Sequence, residues 1–252
     1  MSALRLAIPS KGRLKEQTEA YFRAAGFPIE PTGGARGYLA QIPTLPGVEV
    51  RLLSASEIAS GVVSGDIHCG VSGEDLLREL AGDLERVAHL VTPLGFGRAD
   101  LVVAAPASWL DVSTMADVDD VGARMERDTG RKLRVATKYT RSTRRFFTEE
   151  GVGHYRIVES AGATEGAPAA GVADLVVDIT TTGATLQANG LKVLEDGIIL
   201  RSEAHLAASL EAHWDETNLR SLASLATGLE RQTAGSTERL DSFVTALNQT
   251  RA

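Results

Sequence analysis

The sequence predicts an α/β protein of two lobes, each built around a central, mostly parallel sheet. Three observations carry that expectation. Short apolar runs alternate with amphipathic stretches along most of the chain, the pattern of consecutive βα units. The alternation restarts after Gly95-Phe96-Gly97. A chain of 252 residues is long enough for two modest cores.

In the first lobe, Leu4 to Pro9 reads as a strand. Lys11 to Ala25 reads as a helix, with Leu14, Thr18, Tyr21, Phe22 and Ala25 on one face and Gly26 as its stop. Val48 to Leu53 is a strand, and Ser54-Ala55-Ser56-Glu57 is a capping box that opens the next helix. Ile67 to Val71 is a strand, followed by a Gly73 turn and a helix from Glu74 to Leu80. In the second lobe, Leu101 to Ala105 is a strand ended by Pro106. Met115 to Asp128 reads as a helix, Leu133 to Thr137 as a strand and Thr143 to Glu150 as a helix. Tyr155 to Val158 and Leu175 to Ile179 are further strands. A return crossing is expected near Leu200 to Leu206. Lobe I is then residues 1–97 and 201–252, lobe II residues 98–200, with a hinge near 95–100. From Trp214 onward, Leu219, Leu222, Leu225, Leu229 and Leu240 recur at helical spacing and predict a packed helical tail.

Composition narrows the function. A net charge of −7 argues against a general nucleic-acid binder, which needs clustered Lys and Arg. It leaves room for a local basic pocket and a small anionic ligand. The single cysteine, Cys69, lies in an apolar strand context and reads as an inert core thiol. The N-terminal apolar run is too short for a signal peptide, and no segment has the length of a membrane span. A cytoplasmic protein without membrane contact is expected. His68, His89, His154, His205 and His213 show no metal-ligand spacing. Hydrolase elbows, Walker A loops and dinucleotide fingerprints are missing too.

The most informative segment runs Asp174-Leu175-Val176-Val177-Asp178-Ile179-Thr180-Thr181-Thr182-Gly183-Ala184-Thr185-Leu186. A buried strand ends in an acid, a hydroxyl-rich turn follows, and a helix begins. Such a turn aims backbone N–H groups and hydroxyls at one point, which suits a phosphate. Asp178 would accept hydrogen bonds from sugar hydroxyls. An ordinary strand–turn–helix link with Thr as the N-cap accounts for the same residues, although three consecutive threonines before a glycine exceed what a cap requires. Ser10-Lys11-Gly12-Arg13 follows the first strand, at the sheet edge where open α/β folds place ligands. Its two cations suit a polyphosphate or simply a solvated first turn. Gly70-Val71-Ser72-Gly73-Glu74-Asp75 is a third, weaker strand-end turn.

In this order, these segments resemble the ATP phosphoribosyltransferases of histidine biosynthesis. The matching stretches are Ser10 to Leu14, Gly70 to Leu76, Val135 to Tyr139, Gly162 to Pro168, and Ala173 through Leu191. Thr140 stands where the family usually has Pro. Gly162-Ala163-Thr164-Glu165 replaces its Gly-Ser-Val-Glu turn, and Ser54 stands where Arg is frequent.

The resemblance implies a fold similar to type II periplasmic binding proteins with the active site in the interlobe cleft. It implies condensation of ATP, through adenine N1, with phosphoribosyl pyrophosphate (PRPP), to give phosphoribosyl-ATP and pyrophosphate. It assigns Asp178, Ile179, Thr180, Thr181, Thr182, Gly183, Ala184 and Thr185 to the 5-phosphate end of PRPP, with Glu165 and Asp178 on the ribose hydroxyls. Arg13 and Arg36 would hold the pyrophosphate. Lys11, Gly73, Glu74 and Asp75 are looser candidates for ATP. Mg²⁺ would come with PRPP and ATP, held mainly by pyrophosphate. The short stretch after Leu206 suggests the short form of the family, a homodimer core working with a regulatory subunit that resembles histidyl-tRNA synthetase. Two rivals remain: a non-catalytic solute-binding module of the same fold, and a phosphoribosyltransferase for another acceptor base. Type I enzymes of the latter kind usually carry two adjacent acids where this chain has Val177-Asp178.

Overall fold

Alternating apolar strands and one-sided helices give the chain two centres of packing. The computed structural model describes residues 3–32, 37–160, 162–230 and 238–250. In chain order the first elements are β1 (Leu4–Pro9), α1 (Gly12–Ala24), β2 (Glu30–Pro31), β3 (Leu39–Gln41), β4 (Val48–Leu53) and α2 (Ala55–Ser64). They are followed by β5 (Cys69–Gly73), α3 (Glu74–Ala81), α4 (Leu84–Val87) and β6 (Ala88–Pro93). Next come β7 (Ala99–Pro106), α5 (Met115–Thr129), β8 (Leu133–Thr137), α6 (Thr140–Glu149) and β9 (Tyr155–Glu159). After a 3₁₀ turn at Thr164–Gly166 the chain forms β10 (Leu175–Thr180), α7 (Ala184–Ala188), β11 (Leu191–Ser202), β12 (Ala204–Ser209), α8 (Glu216–Glu230) and α9 (Glu238–Thr250). Residues Met1–Gly97 and Glu203–Ala252 form one compact unit, and Arg98–Ser202 the other.

The first unit holds a seven-stranded sheet in the order β2-β3-β4-β1-β5-β12-β6. Strand alternation sorts its two faces. Leu4, Leu6 and Ile8 of β1 and Val48 and Val50 of β4 meet Phe22 of α1, Leu222, Leu225 and Leu229 of α8, and Phe243 and Leu247 of α9. Ala7, on the opposite face, packs with Ile58, Ala59 and Val62 of α2 and Leu77 of α3. Close approach of α2 requires Gly70, because a Cβ there would stand 2.5 Å from Ile58 Cγ2. The side chain of Leu240 lies outside the described residues and Leu219 packs partly buried against the core, whereas Leu222, Leu225 and Leu229 of the predicted tail are fully buried in it. Each fully buried leucine contributes about 1.5–3 kcal/mol of apolar burial.

The second unit holds a five-stranded sheet in the order β11-β7-β10-β8-β9. Val102 and Ala104 of β7, Ala136 of β8, Val176 of β10 and Leu191 of β11 form one packed cluster, which Leu186 of α7 joins. That buried leucine anchors the chain directly behind the threonine turn.

Both sheets are mixed, which corrects the expectation of mostly parallel sheets. Parallel pairing joins β1 to β4 and β5, and β8 to β9 and β10. These strands are linked through helical crossovers, which fix direction. β12 and β7 each enter their sheet from the other unit, without that constraint, and pair antiparallel with β5 and β10. β3 pairs antiparallel with both neighbours as a short meander. The β5 ladder starts at Cys69 instead of Ile67, because the Ile67 N–H donates to the Gly61 carbonyl at 2.9 Å at the end of α2. α6 starts at Thr140, three residues before the expected Thr143.

Candidate functional site

In the second unit the parallel strands lie in the order β10-β8-β9. The chain lays β9 on one side of β8 and later returns to lay β10 on the other. A reversal of this kind opens a crevice outside the carboxyl ends of the strands. Three segments leave the sheet at that edge: Lys138 after β8, the Ser160 to Gly166 loop after β9, and the threonine turn after β10.

The turn is held by its own hydroxyls. Thr180 Oγ1 accepts the Gly183 N–H at 2.9 Å, and Thr182 Oγ1 accepts the Ala184 N–H at 3.4 Å. Gly183 is the N-cap of α7 and has φ +74°, a left-handed conformation natural to glycine. The helix behind the turn is a short one, Ala184–Ala188, so its dipole adds little. Backbone and hydroxyl donors are instead the groups this turn can offer to an anion. Among the described residues, the N–H groups of Thr181, Thr182 and Thr185 make no protein hydrogen bond, and all three residues are exposed.

Glu165, Asp178, Ile179, Thr180, Thr181, Thr182 and Thr185 line one cavity of about 320 Å³. Gly183 lines a larger neighbouring cavity of about 670 Å³, shared with Thr180 to Thr182 and bordered by Asp100 and Lys192. Ala184 is exposed and borders neither. Asp178 is half-buried, and its Oδ1 accepts the Ile179 N–H at 2.9 Å. Burial pushes its carboxyl above the usual range, and the like charge of Glu165 adds to this. The Ile179 N–H and the Lys138 charge act in the opposite direction without cancelling it. Glu165 is carried by the 3₁₀ turn after Ala163, whose φ of +50° is the one positive value at a non-glycine among the described residues.

The candidates of the first unit follow the same edge rule. β1 and β5 are parallel neighbours, so Lys11 and Arg13 after one, and Gly73, Glu74 and Asp75 at the end of the other, leave the sheet at the same side. Arg13 is exposed in the first turn of α1 and makes no hydrogen bond or ion pair among the described residues. Lys11, the N-cap of α1, is exposed. Glu74 is engaged within its own helix, its carboxylate accepting from Arg78 Nε at 2.6 Å, and its N–H donates to the Glu203 carbonyl. Asp75 is buried at 6% exposure. Arg36 lies outside the described residues.

Two carboxylates beside a threonine cradle suit a phosphorylated sugar, and comparison with known proteins decides the family. The family model for HisG: ATP phosphoribosyltransferase matches residues 54–230. The chain belongs to the ATP phosphoribosyltransferase family. An ATP phosphoribosyltransferase of Caulobacter vibrioides is 60% identical over 98% of this chain and 76% of that protein. A solved ATP phosphoribosyltransferase, the HisG:HisZ complex of Thermotoga maritima, superposes with a TM-score of 0.66 at 26% identity, covering 91% of this chain and 99% of that one. A periplasmic sulfonate-binding protein from Methylobacillus flagellatus shares the fold at a TM-score of 0.53 and 14% identity, over 98% of this chain and 74% of its own. The transferase therefore has the expected α/β architecture of type II periplasmic binding proteins, and membership puts it at the first step of histidine biosynthesis.

The sequence reading gave Lys138 no role. Its motif, Val135 to Tyr139, carried the family resemblance, but a lone lysine after a strand reads as a solvated charge. Asp100 lies on β7, distant in sequence from the turn, so only the fold brings it there, whereas Lys192 follows α7 at the start of β11.

Proposed function

We propose that the threonine turn of this transferase holds the 5-phosphate of PRPP while Asp178 and Glu165 accept hydrogen bonds from the ribose hydroxyls. The observation that carries this reading is the shared cavity of Glu165, Asp178, Thr180, Thr181, Thr182 and Thr185, at the carboxyl edge of three parallel strands. Free N–H groups and hydroxyls suit the phosphate, and ionised carboxylates suit the sugar.

The reaction joins adenine N1 of ATP to ribose C1 of PRPP as pyrophosphate leaves. N1 is a neutral nucleophile, so no strong base is required. The barrier lies in breaking the C1–O bond through a state with oxocarbenium character. Fixing the sugar at two hydroxyls and at its phosphate aligns C1 for attack. Arg13 and Arg36 are proposed to stabilise the charge that develops on pyrophosphate. Lys11, Gly73, Glu74 and Asp75 remain proposed ATP contacts. Of these, Lys11 and the Gly73 backbone suit a polyphosphate, since Glu74 already holds Arg78.

Mg²⁺ fits as a partner of the substrates. The described residues contain no group of three or more His, Cys, Asp or Glu side chains placed to hold a metal. Ions of this kind keep waters and bind through substrate phosphates instead of a dedicated protein cage. When bound, Mg²⁺ supplies charge neutralisation on the leaving pyrophosphate.

The Thermotoga maritima structure is titled a HisG:HisZ complex. We propose a regulatory partner for this chain too, resembling histidyl-tRNA synthetase and bound to a homodimeric core, with inhibition by histidine only when that partner is present. A cytoplasmic location goes with the reading. Among the described residues no helix is long and apolar enough to cross a membrane.

Mixing the chain with ATP, PRPP and Mg²⁺, with and without the partner, and following phosphoribosyl-ATP absorbance tests the reading. Product formation that disappears in Thr182→Val and Asp178→Ala supports it. Undiminished turnover in both variants contradicts it.

A further inference from the structure

We propose that Lys138 is a positioning residue for the sugar site: it stands between Asp178 and the Glu165 loop at the carboxyl edge of the second sheet and holds Asp178 in place to receive PRPP. This rests on the reading of the threonine turn given above.

The placement follows from strand register. β10 pairs with β8 in parallel, Leu175 with Val135 and Val176 with Ala136. The same offset carries Asp178 to Lys138, on strands about 4.8 Å apart. On the other side, β8 pairs Thr137 with Glu159 of β9. That offset carries Lys138 to Ser160, where the loop to Glu165 begins. Lys138 therefore sits one strand from each carboxylate-bearing segment.

Its backbone is fixed where the strand ends. Thr137 is fully buried, and its Oγ1 accepts the Tyr139 N–H at 2.9 Å, bridging Lys138. The Tyr139 carbonyl accepts the Thr143 hydroxyl at 2.6 Å. Lys138 Nζ lies 5.2 Å from the centroid of the buried Tyr139 ring, within cation–π range. The lysine is thus exposed but not free to wander.

Charge explains why it is needed. Residues 178–188 contain no Lys or Arg. Asp178 and Glu165 repel each other, and burial disfavours an ionised Asp178. PRPP adds further negative charge. The charged groups acting on Asp178 are Lys138 and Glu165, and from β7 the residue opposite is the apolar Val102. Lys192, the cation lining the neighbouring cavity, is already committed, donating to the Trp109 carbonyl at 2.7 Å. Lys138 is the group placed to offset the carboxylate pair.

The test is calorimetric binding of Mg²⁺–PRPP across a pH series to wild type, Lys138→Met, Lys138→Arg, Asp178→Asn and the double variant Asp178→Asn/Lys138→Met. Lys138→Met is expected to weaken binding about tenfold, with an unchanged Tm, and to move the acid limb of binding up by about one pH unit. Lys138→Arg should restore both. In the Asp178→Asn background the Lys138 effect should vanish, because coupled residues are non-additive. An unmoved acid limb in Lys138→Met overturns the proposal. So does an equal Lys138 effect with and without Asp178, which would mean direct phosphate contact. Failure of wild type to bind PRPP would instead bring down the underlying reading of the turn.

Discussion

Thr180 Oγ1 accepts the backbone N–H of Gly183 at 2.9 Å, and this bond closes the turn after β10. The hydroxyl comes from the last residue of the strand, so sheet and turn are tied together. Thr180→Val removes the acceptor and leaves the N–H to solvent. We expect a stability loss of about 1 kcal/mol and PRPP binding weaker by about tenfold, a similar free energy. Thermal unfolding and calorimetry on the same variant check both.

Asp178 should be a stability cost retained for binding. Its folded-state pKa is raised, mainly by burial. The folded protein therefore keeps the proton to higher pH than the unfolded chain. The associated stability is present below the unfolded carboxyl pKa and is lost as pH rises through the folded value. Asp178→Asn is expected to show a neutral-pH Tm at or above wild type while PRPP binding collapses. A clear loss of Tm would count against this account of the carboxyl.

Asp174 behaves in the opposite way. Burial alone would raise its pKa, but hydrogen bonds from Arg134 and Arg131 outweigh it and the net shift is downward. Its side chain is 10% exposed and takes Arg134 Nη2 at 3.0 Å. Its stabilisation is present above the unfolded carboxyl pKa and is lost as pH falls through the folded one. Arg134→Ala should cost about 2–3 kcal/mol, read by denaturant unfolding at neutral pH. The difference from wild type should shrink in acid.

His68 is a buried acid-sensitive joint. Its Nδ1 accepts the Arg5 N–H and its Nε2 lies 3.0 Å from the His213 carbonyl, which fixes a neutral ring. Burial, the largest influence, lowers its pKa. The His213 bond and Asp215 resist, while Arg5 and His213 charges assist. Stability should be full above the ordinary imidazole pKa and be lost as pH falls through the folded one. The ring packs edge-on against Trp214 at 5.0 Å. Trp214 fluorescence should therefore follow acid unfolding, and His68→Phe should remove that pH dependence while costing about 2–3 kcal/mol.

Arg13 offers the reverse test, function without stability. It is exposed and makes no ion pair among the described residues. Arg13→Ala should leave stability within about 0.5 kcal/mol and lower kcat by roughly 10²–10³. Wild-type turnover would remove its proposed role at the pyrophosphate.

Much of the fold could be read from local pattern. β1, β4 and β8 fall at the expected residues because each is a short apolar run with a clear break after it. The Ser54–Glu57 capping box forms as read, with reciprocal bonds of 2.8 and 3.3 Å. β11 was missed, since Glu195, Asp196 and Gly197 interrupt its apolar pattern, and its ladder shifts register there. Strand direction could not be read locally, because β7 and β12 take theirs from connections through the other unit. At the site, the Thr180 to Gly183 turn was visible as composition. The position of Lys138 beside Asp178 was not, since it depends on a register between strands forty residues apart.

The most direct test is a crystal structure of the protein with PRPP bound. The 5-phosphate should lie within hydrogen-bonding distance of the Thr181, Thr182 and Thr185 N–H groups, with the ribose hydroxyls on Asp178 and Glu165. A phosphate bound elsewhere, with those amides still facing solvent, would contradict the assignment of the turn.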